Sequence, residues 1–200
     1  MLLRRFIEAS RRAEIIALMN QAHSAAELGD LVAEELCEAC DAEITFILGT
    51  RAGDAELEVV GSIGIKDDER MTILDDRVCL SALEAKVPRV QTGTDLLGLG
   101  ARALLVAPFA GANGERVAIG VARLDEQEFD AAEVTLVEAI TRSVGHAVER
   151  LWSREELFYA QSELIHLLLR HSRSAANDED EAAVAAHLFM LPASDRRGSE

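Results

Sequence analysis

Three cysteines are the residues of this sequence best suited to redox or metal chemistry. Cys37 and Cys40 form a C-x-x-C pair, a spacing that can hold zinc or a redox-active disulfide. The pair lies within a predicted helix rather than at a strand-to-helix turn, and no second pair of cysteines or histidines follows it at zinc spacing. Because cysteine is among the most buried residue types, we predict that both thiols pack in a core and that the chain binds no metal.

The remaining candidates for chemistry also favour a protein without a catalytic centre. Cys79 lies just before a predicted short helix, where we expect it in a core, with redox sensitivity as the alternative. None of the five histidines has a second histidine or a cysteine at the i,i+4 spacing that would ligate haem or a metal. The sequence contains no G-x-S-x-G, H-E-x-x-H or P-loop motif. We therefore predict no catalytic residues and no cofactor.

Composition and charge exclude several classes of function. The net charge is −16, from 36 acidic and 20 basic residues, whereas nucleic acids and anionic membranes bind clustered Lys and Arg. The longest uncharged apolar stretch, residues 103–112, is too short to span a bilayer. Glutamates interrupt the N-terminal arginines, which predicts an amphipathic helix instead of a signal peptide. With three cysteines and no disulfide framework expected, we predict a cytoplasmic protein that binds neither nucleic acid nor membrane.

The element that must organise any site is a central β-hairpin. Two apolar runs of strand length, ALLVAPFA and RVAIGVARL, flank the dipeptide Asn113-Gly114. This dipeptide favours a two-residue type I′ turn, because both of its residues tolerate a positive φ. Neither run alternates strictly between apolar and polar residues, so we predict that both faces of the hairpin are covered.

Further elements precede this hairpin. The runs EITFILGT and ELEVVGSIGI predict another pair of strands, joined by a turn at residues 52–54. A helix is predicted from Ser24, whose hydroxyl and the carboxylate of Glu27 form a capping box. A short helix over Leu80–Lys86 ends at Val87-Pro88, and Pro88 begins an edge strand because proline cannot donate to a central ladder.

A long helix follows the hairpin, from Asp130 to about Arg170, with one glycine and no proline. Its apolar residues Val137, Val144 and Leu151 recur every seven positions, as in a coiled coil. We predict a continuous helix that pairs with a second copy of the chain, with two helices broken near residues 152–153 and folded back as the alternative. The predicted dimer interface comprises Phe6, Ala13, Ile16, Val137, Val144, Val148, Leu151 and Phe158.

The predicted organisation has four parts. An N-terminal dimerisation helix covers residues 1–23, and a compact α+β domain covers residues 24–151. The long helix continues through residues 152–173, and an acidic, partly disordered tail follows over residues 174–200.

The order of these elements resembles the GAF domain, a PAS-like family of small-molecule sensor modules. The residues that carry the resemblance are LGDLVAEELCEACDAEITFIL, LEAKVPRVQTG, RALLVAPFAGANGERVAIGVARL and EFDAAEVTLVEAITRSVGHAVE, and together they span about residues 28–151. The resemblance implies a central antiparallel sheet flanked by helices, with long N- and C-terminal helices. Phe129 and Glu133 fit the second half of an element found in cyclic-nucleotide-binding members, whereas Arg123-Leu124 stand where those members carry Asn-Lys.

In the resembled fold a ligand binds between the sheet and the short helices. Polar residues expected near that pocket could orient a ligand, and Arg102 is the strongest candidate because a guanidinium can hold a carboxylate or phosphate through two hydrogen bonds. The predicted pocket residues are Phe46, Ser62, Cys79, Ser81, Gln91, Thr92, Asp95, Arg102 and Phe109.

The sequence thus predicts a non-enzymatic sensor that binds an unidentified small molecule, or has lost one, and signals through a homodimeric helical bundle. Its output is expected to be another protein or an output domain outside this chain. One alternative is a small redox enzyme such as a free methionine sulfoxide reductase, which requires reactive cysteines in the pocket. Another is a purely structural dimerisation module with a filled pocket.

Overall fold

The computed structural model describes residues 2–54, 56–112 and 114–189. The five strands are β1 (Ile44–Thr50), β2 (Glu58–Ile63), β3 (Arg89–Leu96), β4 (Ala101–Ala110) and β5 (Arg116–Arg123). The five α-helices are α1 (Leu2–Met19), α2 (Ala25–Cys40), α3 (Arg70–Leu74), α4 (Arg77–Ala85) and α5 (Ala131–Phe189). None of the helices in the described part of the chain combines the length and apolarity needed to span a membrane.

The strands form one antiparallel sheet in the order β2-β1-β5-β4-β3. Helices α2 and α5 cover one face through a large cluster of buried residues, which also includes Ile15 and Met19 of α1. Helices α3 and α4 cover the other face through a second cluster. The predicted α+β class, with a central sheet between helices, is therefore confirmed. The edge position predicted for the strand after Pro88 is also confirmed, since β3 pairs only with β4.

Helix α2 begins where the sequence predicts. The Ser24 hydroxyl accepts a hydrogen bond from the Glu27 N–H at 3.1 Å, and the Glu27 carboxylate accepts one from the His23 N–H at 2.8 Å. The helix lies very close to β2, because a Cβ atom on Gly61 would stand 2.3 Å from the carbonyl carbon of Gly29. Two facing glycines thus allow helix backbone and strand backbone to touch.

The central hairpin has covered strands, as predicted, but a different turn. Residues 103–107 of β4 and 117–122 of β5 are buried. The last strand pair is Ala110 with Arg116, and the loop between them is closed by a hydrogen bond from the Gly111 N–H to the Glu115 carbonyl at 2.8 Å. The prediction of a two-residue turn is therefore wrong, because more than two residues separate this last pair; Asn113 itself lies outside the described residues.

The chain divides into two units, residues 1–154 and 155–200. Within the first unit, Val137, Val144 and Val148 of α5 are completely buried against the sheet. Their assignment to a dimer interface is wrong, because the core of a single chain already covers their side chains. Leu151 is half-buried and packs against the same cluster.

Helix α1 faces the core of this chain with residues other than those predicted for the dimer interface. Ile15 and Met19 are 1% and 6% exposed, whereas Ala13 is exposed and Ile16 is half-buried. The assignment of Ala13 and Ile16 to a dimer interface therefore stays a prediction, because the core of this chain does not fully cover either side chain. The side chain of Phe6 lies outside the described residues.

Helix α5 is a single helix from Ala131 to Phe189, with no interruption at Trp152-Ser153. The continuous helix is thus confirmed and the folded-back alternative is wrong. The helix includes residues 174–189 of the predicted acidic tail, and residues 190–200 lie outside the described part.

Candidate functional site

Helix α4 begins at an aspartate that caps its first turn. The Asp76 carboxylate accepts hydrogen bonds from the N–H groups of Val78 and Cys79, at 2.8 and 3.1 Å. An aspartate at this position satisfies N–H groups that the helix itself cannot pair. Cys79 and Leu83 then point into the second buried cluster.

The turn between β3 and β4 forms the opposite wall of a cleft. Asp95 and Leu97 have φ values of +56° and +63°, a left-handed conformation that is uncommon for residues other than glycine. The Asp95 carboxylate accepts a hydrogen bond from the Gly100 N–H at 2.8 Å, and Leu97 is 4% exposed within the cluster beneath α4. This side-chain hydrogen bond, two backbone hydrogen bonds within the turn and the buried Leu97 side chain therefore hold the turn in place.

A cleft of about 680 Å³ opens between α3, the start of α4 and this turn. It is lined by Met71, Thr72, Asp75, Asp76, Arg77, Val78, Gln91, Asp95, Leu96, Leu97, Gly98 and Leu104. Three aspartates and one arginine give the cleft a negative balance. Clefts of one sign concentrate ions of the other sign, so this cleft favours cationic groups and hydrogen-bond donors.

The space beneath α4 is filled with side chains. The Phe46 ring lies directly over Gly120, where a Cβ atom would stand 2.0 Å from the ring. Phe46, Cys79 and Leu104 are all completely buried. Burial raises the pKa of the Cys79 thiol far above its ordinary value, and the nearby Asp76 carboxylate raises it further. Cys79 is therefore a neutral thiol in the core.

The structure brings two of the predicted pocket residues together. Gln91 and Asp95 both line the cleft. Phe46 and Cys79 do not line it, because they lie in the sealed layer beneath α4. Leu104 belongs both to this buried cluster and to the wall of the cleft.

Three polar residues predicted at the pocket lie outside the cleft. Ser81 donates its hydroxyl hydrogen to the Val78 carbonyl within α4, at 3.0 Å. Thr92 is exposed on β3. Ser62 pairs with Phe46 across β2 and β1, and its buried hydroxyl has no hydrogen-bond partner among the described residues.

Arg102 and Phe109 are also placed elsewhere. The Arg102 guanidinium forms an exposed ion pair with Glu126 at 2.6 Å, so the predicted anion-binding arginine already has a carboxylate partner. Phe109 lies on the opposite face of the sheet, where its ring covers Gly145 and meets His146 edge-on with ring centroids 4.8 Å apart. Its assignment to the pocket wall is wrong, because the strand directs it towards α5.

The C-x-x-C pair lies away from the cleft. Cys40 is 1% exposed in the cluster beneath α2, as predicted, and Cys37 is half-buried. The Cys37 thiol donates to the Thr45 hydroxyl at 3.2 Å. The pKa of Cys37 is raised above its ordinary value, mainly because the thiol is partly buried. The structure therefore does not give the Cys37 thiol the low pKa that reactive cysteines have.

Arg123 is the residue whose role the sequence did not reveal. It is 2% exposed, donates to the carbonyl of Cys40 at the end of α2, and forms an ion pair with Glu133 at 2.5 Å. The other Glu133 oxygen accepts a hydrogen bond from the Asp130 N–H, and Asp130 caps the first turn of α5. Arg123 also lies over the Phe129 ring, 4.3 Å from its centroid.

These contacts join three elements at one buried cation. The end of β5 supplies Arg123, the end of α2 supplies a carbonyl acceptor, and the start of α5 supplies a carboxylate. An arginine at the end of an apolar strand with a glutamate ten residues later is visible in the sequence, but their pairing requires the folded turn between them.

Comparisons with known proteins were made on the sequence and on the fold. No family model matches the sequence, and no curated protein matches it. The GAF domain of a phosphoenolpyruvate-protein phosphotransferase from Coxiella burnetii matches the fold with a TM-score of 0.63 and 13% identity, over 74% of this chain and 96% of that one. The GAF domain of a putative sensor histidine kinase from Pseudomonas syringae pv. tomato matches with a TM-score of 0.57 and 14% identity, over 78% and 99%.

This chain has a GAF-like fold. The free methionine-R-sulfoxide reductase from Neisseria meningitidis, solved with its substrate, also matches, with a TM-score of 0.60 and 12% identity over 74% of this chain and 91% of that one. At identities this low, the structural matches establish only the fold of the GAF-like domain. Its chemistry has to be inferred from its own residues.

Proposed function

We propose that this protein is a non-enzymatic sensor module, in which a small molecule in the cleft beside α4 changes how the C-terminal helix pairs with a second copy. The observation that carries the proposal is the apolar surface of α5 beyond residue 154. Leu157, Phe158, Leu164, Ile165 and Leu168 are between 57% and 66% exposed. Exposed apolar residues grouped in this way are typical of a protein–protein contact.

The spacing of these residues fits a paired helix. At 3.6 residues per turn these five residues fall within an arc of about 120°. Leu167, which is 50% exposed, lies beside this arc, and Tyr159, which is 69% exposed, lies with His166 and Glu163 on the other side of the helix. Leu157, Gln161, Leu164 and Leu168 follow the alternating steps of four and three that form a coiled-coil seam. A polar residue such as Gln161 within a seam favours one register and one number of strands.

The cleft supports a ligand that carries a positive charge or several hydrogen-bond donors. Asp75 is exposed within it, and its carboxylate makes no hydrogen bond or ion pair to another described residue. Gln91 and Thr72 add hydrogen-bonding groups, and Leu104 adds an apolar floor. We propose an amine or a similarly donor-rich metabolite as the ligand class.

A short route joins this cleft to the start of α5. Leu104 in the cleft wall pairs with Ala122 on β5, and the next residue along β5 is Arg123, which holds Glu133 of α5. A ligand acts only through a difference in affinity between two arrangements of the protein. We propose that β5 and Arg123 transmit that difference to α5.

A structural dimerisation module is the second candidate, and the packing of Phe46 over Gly120 favours it. Because this ring fills the layer beneath α4, that layer leaves no room for a ligand, and a ligand on this face of the sheet would bind in the open cleft. Thiol-based reduction has less support, since burial raises the pKa values of Cys37 and Cys79.

Thermal unfolding against a panel of amines, amino acids and neutral metabolites separates the two candidates. A ligand at one hundred times its Kd stabilises by about 2.7 kcal/mol, which raises the Tm of a chain of this size by about 5–10 °C. Asp75→Asn should weaken the effective compound about tenfold, because it removes a charged hydrogen-bond acceptor. Asp68→Asn removes the same charge from an exposed position outside the cleft and should leave the affinity unchanged.

Two results would count against the sensor. If no compound in the panel shifts the Tm, the structural module is the better account. If a compound shifts the Tm equally for Asp75→Asn and the original chain, its site lies outside this cleft.

A further inference from the structure

A second, smaller cleft lies on the other face of the sheet, between the end of α1 and the middle of α5. Its volume is about 260 Å³. The apolar part is formed by Met19 and Ala147, which are buried, and by Leu151, which is half-buried. Asn20, Arg150 and Arg154 provide its polar rim, and all three are exposed.

Arg150 and Arg154 are neighbours on the surface of α5 and carry the same charge. Residues four apart on a helix lie one above the other, so the guanidinium groups of Arg150 and Arg154 share one side of α5 and repel each other. Neither forms an ion pair or hydrogen bond with another residue of the described chain. Arg142 on the same helix shows the usual arrangement, because it pairs with Glu138 four residues before it.

The sequence around Arg150 and Arg154 places no acidic residue where it could pair with them along the helix. The chain carries 36 acidic residues, yet none stands three or four positions before or after Arg150 or Arg154. Those positions hold His146, Ala147, Leu151, Ser153, Leu157 and Phe158, or the other arginine of the pair. In a chain of net charge −16, two adjacent unpaired cations beside an apolar hollow form a local site for a negative charge.

We propose that this cleft binds a small organic carboxylate. The guanidinium groups of Arg150 and Arg154 hold the carboxylate, since their planar N–H groups match its two oxygens. The Asn20 side-chain amide donates from the rim, and the short apolar body of the ligand covers Met19 and Leu151. The volume suits such a body better than an inorganic anion alone, which would leave the apolar part empty.

Such a ligand would bridge α1 and α5. The anion removes the repulsion between the two arginines and joins Asn20, at the end of α1, to α5. The site is separate from the acidic cleft beside α4 in both position and charge, so its occupancy does not depend on the sensor function proposed above.

Calorimetric titration of the full chain with butanoate, hexanoate and benzoate tests the proposal, with hexanamide as the uncharged match. We expect at least one carboxylate to bind and hexanamide not to bind. Arg150→Gln and Arg154→Gln should each weaken that carboxylate by about tenfold or more, the usual loss for a charge-assisted hydrogen bond. The double variant Arg89→Gln/Arg170→Gln removes the same charge from exposed positions outside the cleft and should bind with unchanged affinity.

Side-chain NMR provides the readout that locates the site. Carboxylate addition should shift the Nε–H signals of Arg150 and Arg154 and leave that of Arg89 in place. The proposal is overturned if no carboxylate of the panel binds, or if the double variant Arg150→Gln/Arg154→Gln, folded by circular dichroism, binds as well as the original chain. Binding that is lost equally in both double variants would show a response to overall charge and would also overturn it.

Discussion

Arg123 is a buried charge that contacts three different elements of the fold. A charged group that is 2% exposed must be compensated by partners, and Arg123 has a carboxylate, three backbone carbonyls and an aromatic ring around it. These partners come from α2, from the connection after β5 and from α5. Arg123 therefore helps to fix the start of α5, together with the Asp130 cap and the buried Phe129 ring.

Replacement of this residue should be costly. Arg123→Met leaves Glu133 and the Cys40 carbonyl without their donor, and breaking a buried pair in this way costs about 3–5 kcal/mol. Urea unfolding gives the free energy directly. The control is Arg102→Gln, whose ion pair with Glu126 is exposed on both sides and should contribute less than about 1 kcal/mol. Equal losses for the two variants would show that the Arg123 contacts are not stabilising.

The Cys79 thiol should make stability depend on pH in the alkaline range. Burial raises its pKa in the folded chain, so the unfolded chain releases the proton first and binds fewer protons above the ordinary thiol pKa. Stability from this group is complete at low pH and is lost as pH rises. Between about pH 8 and pH 10 the original chain should lose about 1.5–2 kcal/mol more than Cys79→Ala. Parallel pH profiles for the two proteins would contradict the buried position.

Residue types alone identified only part of the site. Gln91 and Asp95 were predicted because polar residues on an edge strand and its turn lie near a cleft. Arg102 was misplaced because its partner Glu126 is 24 positions away in the sequence, and no local pattern records that pairing. Asp75 and Thr72 were missed because α3 is a five-residue helix within a charged segment that gives no clear periodicity.

At the scale of elements, the contact between α2 and β2 shows why two glycines were needed. A Cβ atom on Gly61 would stand 2.3 Å from the Gly29 carbonyl carbon, and backbone atoms cannot move aside as a flexible side chain does. We expect Gly61→Ala to destabilise the fold by about 1–3 kcal/mol or more, the usual cost of overpacking.

Thermal unfolding measures this effect, with Gly93→Ala as the matched control. Gly93 lies on the exposed edge strand, where the first atom met by a Cβ is a Leu96 side-chain carbon at 3.2 Å. That substitution should change stability by less than about 0.5 kcal/mol. If Gly61→Ala proves as mild as Gly93→Ala, the two elements are further apart than described.

Helix α5 shows how far periodicity can be trusted. The recurrence of apolar residues every seven positions, at Val137, Val144 and Leu151, correctly indicated a long helix with an apolar stripe. This spacing does not distinguish a stripe covered by a sheet from one covered by a second helix, because either partner buries apolar residues of the same kind. The stripe from Val137 to Val148 proved to face the sheet, and the apolar residues from Leu157 onward are the ones left exposed.

At the scale of the whole chain, the order of the strands and helices was the feature that the sequence predicted best. Strand pairs, edge strand and exit helix followed from turn residues and apolar runs, and they were sufficient to predict the GAF-like arrangement. The location of the cleft and the pairing of Arg123 depend on contacts between distant segments, so they emerged only from the folded chain.

The proposed sensor function requires that α5 pairs with a second copy through its exposed leucines. Sedimentation equilibrium of the full chain measures this pairing, with Leu164→Glu to disrupt it. A charge in a coiled-coil seam must be desolvated when two helices pack, so this variant should be monomeric. His166→Glu introduces the same residue on the other side of the helix and should leave the dimer intact.

We predict a dimer for the original chain and for His166→Glu, and a monomer for Leu164→Glu. A monomeric original chain at concentrations of tens of micromolar, or a dimer that survives Leu164→Glu, would contradict pairing through these leucines.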